Sequence, residues 1–250
     1  MDLKLRDKTA LVTGASTGIG RRIARQLAAE GVKLAIAARR RALLEEVAGE
    51  IVAEGGHAPV IIEQDALADD APAKVASAAV AGLGKVEILV NNAGGSRAFS
   101  LETTEAQWQE AMTLNFTRPR QLTHQLLGQM ASEGWGRIVN ITGKSEPDGI
   151  NGAFCAKAAI HSWAKGLSRE VGRHGITVNC IAPGRIMSEQ ILRNYSPEYR
   201  QWQSENEIPV GRYGEPEELA SLVVFLSSPV AAYMTGTVIP VDGGLRRYQF

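Results

Sequence analysis

Two stretches of this chain concentrate side chains that could do chemistry. The first is 142–159, TGKSEPDGINGAFCAKAA, where Lys144, Ser145, Glu146, Asp148 and Asn151 fall within eight residues and Lys157 follows six later. A carboxylate can exchange protons as a general acid or base, and a lysine or serine can hold a developing oxyanion. Plainer readings stand beside these. EPDG is good turn chemistry, so Glu146 and Asp148 also fit a solvated turn. Lys144 also fits an exposed charge, and Asn151 fits the cap of a following helix.

The second stretch is TALVTGASTGIGRRIARQLAAEG, which sets Gly14, Gly18 and Gly20 between an apolar run and an amphipathic one. Glycines there permit a tight turn and close approach of a pyrophosphate to a helix N-terminus. The spacing is G-x-x-x-G-x-G rather than G-x-G-x-x-G, so the turn alone is a weak signal and its place after a strand strengthens it. The next apolar run ends AIAARRR. Ala37 and Ala38 stand where an acidic residue would take a ribose 2′-hydroxyl, and Arg39, Arg40 and Arg41 follow. A guanidinium matches a 2′-phosphate, so the pattern points to NADP(H) rather than NAD(H), with Arg39 as the phosphate ligand. The plainer reading is that these arginines begin a solvated helix.

The elements that must position these groups alternate regularly. Continuous apolar runs predict strands over 9–13, 33–38, 58–63, 87–91, 136–142, 176–182 and 237–242. Runs of that kind suit parallel strands covered on both faces. Helices are predicted near 18–30, 40–54, 69–82, 105–131, 152–173 and 216–227. The alternation gives a single-domain α/β fold over 1–250, a doubly wound sheet with helices on both faces. The segment 185–210 is a long connection expected near the carboxyl ends of the strands, where a substrate lid would lie.

Bulk properties narrow the partners. Lysine plus arginine and aspartate plus glutamate each number 27, so no global charge recruits nucleic acid or an anionic membrane. The N-terminal residues lack a signal-peptide core, and no apolar run is long enough to span a bilayer. Cys155 and Cys180 are too few for a disulfide framework or a metal site of their own. The expectation is a soluble protein of a reducing, cytoplasmic compartment that acts on a small molecule, with no metal.

With TGASTGIG at 14, NNAG at 91–94, Asn115 in TLNFT, AK at 156–157, APGRI at 182–186 and a closing TGTVIPVDGG, the chain resembles the short-chain dehydrogenase/reductase family along its length. The resemblance implies a seven-stranded Rossmann sheet and a homotetramer or homodimer. It implies a cofactor site of Gly14, Ser16, Thr17, Gly18, Ile19 and Gly20 at the first turn. Asp65 and Ala66 would lie at the adenine, and Asn92, Ala93 and Gly94, with Asn91, along the cofactor and central sheet. Pro183, Gly184, Ile186 and Ser188 would lie at the nicotinamide, and Lys157 at its ribose.

Family chemistry pairs a tyrosine with a lysine four residues later, a serine after the fifth strand and an asparagine in the long helix. The lysine lowers a tyrosine pKa that is otherwise about 10. Asn115 and Lys157 match. Ala153 stands four residues before Lys157, Gly143 takes the serine position, and the loop between them is shortened. Ser145, Lys144 and Glu146 are therefore the candidate catalytic replacements, with Tyr195 a remoter substitute acid and Trp202 a candidate for the substrate entrance. His161, one turn past Lys157, reads as structural or as part of a subunit interface. Cys155 reads as a small buried residue.

Three functions stay open at this stage. The leading one is an NADP(H)-dependent oxidoreductase moving a hydride to or from a carbonyl, an alcohol or a conjugated substrate, with a non-standard proton donor. The others are a lyase or dehydratase on the same scaffold, and a cofactor-binding sensor or inactive subunit.

Overall fold

The computed structural model describes residues 1–143 and 149–247, apart from the side chain of Gln190. Lys144, Ser145 and Glu146 lie outside the described residues.

Seven parallel strands form one sheet in the order β3-β2-β1-β4-β5-β6-β7. They are β1 (Thr9–Thr13), β2 (Lys33–Ala38), β3 (Val60–Glu63), β4 (Ile88–Asn91), β5 (Gly136–Ile141), β6 (Ile176–Pro183) and β7 (Val238–Val241). Every residue of β1, TALVT, is buried, because helices cover both faces of the sheet. Alternation splits the strand between two cores. Ala10 and Val12 pack with α1 (Gly18–Ala29) and α9 (Pro216–Leu226) on one side, while Leu11 joins residues of α3 (Ala71–Leu83), α5 (Arg118–Ser132) and α6 (Gly152–Val171) on the other. Burying a side chain such as Leu11 or Val12 contributes about 1.5–3 kcal/mol. The remaining helix on the sheet's first half is α2 (Arg41–Ala53).

The order reverses between β1 and β4, and a crevice opens there at the carboxyl ends of the strands, where open α/β sheets bind ligands. The Thr13 hydroxyl ties the two strands together. It donates to Val90 O at 3.3 Å and accepts from the backbone N–H of Asn92 and Ala93 at 3.0 and 3.1 Å.

One expectation needs correction. The helix predicted over 105–131 is α4 (Glu105–Met112), a π-helical turn at Thr113–Thr117, and then α5. Two residues account for the widened turn. Pro119 cannot donate to the carbonyl four residues back, and the Asn115 side chain takes the Ala111 carbonyl at 2.9 Å. The connection 185–210 carries α7 (Glu189–Asn194) and α8 (Pro197–Asn206), capped by Ser188 and Ser196.

Candidate active site

The glycine turn is held by its own geometry. Gly14 has φ of +65°, and a Cβ there would lie 2.9 Å from Ala93 Cα. A Cβ on Gly20 would lie 2.2 Å from Gly14 O, so β1 and α1 meet this closely only through glycine. Asn92 locks the turn by donating to Thr13 O and Gly14 O at 3.0 and 3.1 Å. Thr17 stands at the N-cap of α1 without a side-chain cap bond, and no acidic residue occupies the first helical turn. Side chains cap α4, α6, α7 and α8, whereas α2, α3 and α5, like α1, have no side-chain cap bond. The start of α1 lines the cleft at the glycine turn, where its positive end can meet an anion.

The three arginines after β2 separate by their contacts. Arg41 pairs with Glu45 at 2.8 Å within α2. Arg40 lies 3.6 Å from Glu189 and within 3.5 Å of Thr17 Oγ1. Arg39 lines the cleft and has no hydrogen-bond or ionic partner among the described residues. The cradle of glycines, the open helix terminus and this arginine fit a phosphorylated dinucleotide.

One cleft of about 790 Å³ gathers the sequence-predicted groups. It takes in the first turn from Gly14 through Gly20, then Arg39, Asp65 and Ala66. It continues past Asn92, Ala93 and Gly94 to Asn115 and Lys157, and on to Pro183, Gly184, Ile186 and Ser188. Asn91 serves the sheet instead: its Nδ2 donates to Thr123 Oγ1 at 3.0 Å and to Asn140 Oδ1 at 2.9 Å.

Asn115 is almost fully buried, and its amide is committed to backbone. Nδ2 donates to Gly95 O at 3.0 Å and Ala111 O at 2.9 Å, while Oδ1 accepts from the Gly95 N–H at 3.1 Å. The side chain clamps the 94–95 loop against the π turn, so its contribution to the site is positional.

Asn151 caps α6, accepting from the N–H groups of Ala153 and Phe154 at 2.9 and 3.3 Å. Its Nδ2 donates to Arg97 O at 3.0 Å, binding the helix start to the loop after β4. That end of α6 lies tight under Phe99, since a Cβ on Gly152 would be 2.6 Å from the Phe99 ring. Ala153 is buried and lines the cleft where the family resemblance puts a tyrosine.

From α6, Lys157 Nζ donates to Thr142 O at 2.7 Å. Burial pushes the Lys157 ammonium down to about 8. The residue as a whole keeps partial exposure to the cleft, and its Nζ lies near Gly94, where a Cβ would be 3.9 Å away. A polar cavity of about 10 Å³ adjoins Lys157, Thr142, Asn115 and the unsatisfied Asn91 Oδ1. That is about the room one water requires.

Sequence reasoning missed Thr142, and it placed His161 on the Lys157 face without naming the threonine as its partner. His161 Nε2 lies 2.7 Å from Thr142 Oγ1, and the same hydroxyl donates to Ile181 O at 3.0 Å. The tautomer of His161 decides which of the two groups donates in this contact. Burial holds the imidazole below its ordinary value, and the Lys157 and Arg246 charges add to the effect. The available signal was the i,i+4 spacing of Lys157 and His161, which shares a helix face.

Cys155 corrects a second expectation: it is exposed, and Cys180 is the buried thiol, which burial pushes up to about 12. Position 155 falls on the outward face of α6, while 153 and 156 face inward. Tyr195 lines the cleft and accepts from Arg185 Nη1 at 3.0 Å. Trp202 is half-exposed and stacks on Tyr199, which stacks on Tyr195, at ring separations of 5.9 and 5.5 Å. Among the described residues there is no group of three metal-ligating side chains, and no helix is long and apolar enough to cross a membrane.

Comparison with known proteins agrees with this geometry. A family model described as enoyl-(acyl carrier protein) reductase matches residues 14–246. The chain is 35% identical over 256 residues to the 3-oxoacyl-(acyl-carrier-protein) reductase FabG of Aquifex aeolicus, covering 98% of this chain and 100% of that one. It is 36% identical over 244 residues to the L-tagatose-forming galactitol 2-dehydrogenase of Cereibacter sphaeroides, covering 94% and 93%. Among solved structures, the L-sorbose reductase of Gluconobacter frateurii, complexed with NADPH and L-sorbose, superposes with a TM-score of 0.92 at 29% identity, covering 99% of this chain and 100% of that one.

Proposed function

This chain belongs to the short-chain dehydrogenase/reductase family and is an oxidoreductase of that type, and from that premise we propose that it moves a hydride between NADP(H) and a small carbonyl, alcohol or conjugated substrate without a catalytic tyrosine. The carrying observation is that the dinucleotide cradle and the Lys157–Thr142–Asn115 framework are all in place around a buried Ala153.

The cofactor supplies the hydride or accepts it. Gly14, Gly18 and Gly20 with the open N-terminus of α1 hold its pyrophosphate, Arg39 its 2′-phosphate, and Lys157 its nicotinamide ribose. Use of NADPH is also what the sorbose reductase complex displays for that relative.

Lys157 takes over the proton. Its ammonium spends one N–H on Thr142 O, which leaves two, and burial brings its acidity to the range a general acid needs near neutral pH. Gly143 and Ala153 leave the lysine uncovered by the side chains that the family places there. The water-sized cavity beside Asn91 and Asn115 would hold one water next to the lysine. Ser145 or Lys144 is proposed, on the sequence alone, to hold the substrate oxygen, with Glu146 the alternative proton donor.

The test is NADPH oxidation followed at 340 nm over a panel of ketones, imines and conjugated enones, with wild-type protein beside Lys157→Met and Glu146→Gln. Turnover lost in Lys157→Met with NADPH still bound supports the reading. Loss in Glu146→Gln alone moves the acid to the loop. Bound NADPH with no oxidation by any compound favours the lyase or sensor alternative.

A further inference from the structure

Most charged groups lining the cleft are accounted for within the chain. Arg40 faces Glu189, Arg97 pairs with Glu110, and Arg118 donates to Leu67 O at 3.0 Å and reaches Asp69. Arg39 and Lys157 belong to the cofactor in the reading above. Two arginines are left over, Arg185 and Arg193, and both line the cleft.

Arg185 has no carboxylate partner among the described residues. Its Nη1 donates to Tyr195 Oη at 3.0 Å, and its guanidinium lies 4.9 Å from the Tyr195 ring centre. Its Nε is buried with no hydrogen-bond partner. A guanidinium carries five N–H donors and no acceptor, so this one has most of its capacity unspent in a place where water is partly excluded. The Nε atoms of Arg22, Arg118, Arg200 and Arg246 are likewise unsatisfied, but Arg22 Nε lies 3.1 Å from Glu217 and Arg118 Nη2 reaches Asp69.

The group is also held in advance. The Arg185 carbonyl accepts from Gly214 N–H at 2.9 Å, Gly184 N–H donates to Val241 O at 2.9 Å, and Gly184 abuts Asp242 so closely that a Cβ would lie 2.6 Å from its Cα. Arg185 follows β6 and Arg39 follows β2, but α7 reaches back to the phosphate end, where Arg40 lies 3.6 Å from Glu189, so NADPH affinity is read beside anion preference in the test. Arg193 stands on α7, two residues before Tyr195, and has no partner among the described residues.

We propose that the substrate carries an oxyanion, a carboxylate or a phosphate, remote from its reacting carbon, and that Arg185, steadied by Tyr195 and seconded by Arg193, receives it beneath α7. The inference rests on the hydride-transfer reading and narrows its substrate class. A planar guanidinium with two adjacent open N–H groups takes either anion in the bidentate manner.

Three matched ketones test it: 4-acetylbenzoate, 4-acetylphenyl phosphate and the neutral methyl 4-acetylbenzoate. Each is measured for NADPH oxidation and, by calorimetry, for binding to the NADP⁺-loaded protein. At least one anion is expected to exceed the ester by about 30-fold or more, the scale of a charge-assisted pair. The better of the two anions identifies the source. Arg185→Gln is expected to bring that ratio to within about 3-fold of one, Arg185→Lys to keep part of it, and Arg193→Gln to reduce it less. NADPH affinity should stay within about 2-fold in all three variants. An ester that matches both anions in wild type overturns the proposal. So does an Arg185→Gln protein that loses NADPH affinity as strongly as anion preference, since Arg185 would then serve the cofactor. The calorimetric comparison decides the matter even if no ketone is reduced, a result that would count against hydride transfer and not against the anion site.

Discussion

Lys157 and His161, one turn apart on α6, hold opposite ends of the same residue: Nζ donates to Thr142 O, and Nε2 shares a hydrogen bond with Thr142 Oγ1, each at 2.7 Å. Thr142 follows β5 directly, so the pair fixes the helix that carries the ammonium to the strand end beneath the cleft. Without a tyrosine to do so, this contact sets where the lysine points.

The imidazole should leave a trace in acid stability. Its folded value is held below 6.5 by burial, so as pH falls through 6.5 the unfolded chain takes up a proton that the folded chain refuses. Stability from this group is present above 6.5 and is lost below it. His161→Gln keeps an N–H donor but does not titrate. We expect its melting temperature to fall less than that of wild type between pH 7 and pH 5.5, as read by circular dichroism, whereas parallel curves would contradict the assignment.

Arg39 should govern the choice of cofactor. Arg39→Glu places a carboxylate where we assign the 2′-phosphate, and NADPH affinity is expected to drop by about 10- to 100-fold, the scale of one lost charge-assisted contact. NADH affinity should change little. Fluorescence titration of both cofactors checks this, and equal losses would show that the arginine serves the fold rather than the phosphate.

Gly152 should be intolerant of even one methyl. Its missing Cβ leaves the space where Phe99 and Ala111 meet α6, at 2.6 and 2.7 Å. Gly152→Ala is expected to cost about 1–3 kcal/mol by overpacking, measured by urea denaturation. A neutral result would mean that the Phe99 ring simply swings aside.

Much of this architecture is readable from the chain because its strands are continuous apolar runs separated by helices of ordinary length. The predicted β1 and β2 coincide with the observed ones, and the others differ by two residues at most. The π turn is less legible, since one extra residue in a helix barely disturbs a 3.6-residue period; Pro119 and the Asn115 side chain mark it only once their bonds are known. The helices α7 and α8 are short and polar, so they offer little periodicity to find. The cofactor groups were legible because glycine spacing and arginine placement follow from the ligand's shape and charge. Thr142 was not, for a threonine ending a strand acquires meaning only through its contacts with Lys157 and His161. Lys144, Ser145 and Glu146 rest on the sequence alone.

The central claim is hydride transfer with Lys157 as the proton donor, and its most direct measurement is the pH dependence of NADPH oxidation in wild type beside Lys157→Arg. Arginine keeps the charge that holds the cofactor but does not release a proton. The account predicts a wild-type reduction rate that falls as pH rises through about 8, where the ammonium deprotonates. It predicts that Lys157→Arg binds NADPH yet oxidises it about 10²–10⁴-fold more slowly. An arginine variant that keeps the wild-type rate and pH profile would contradict it.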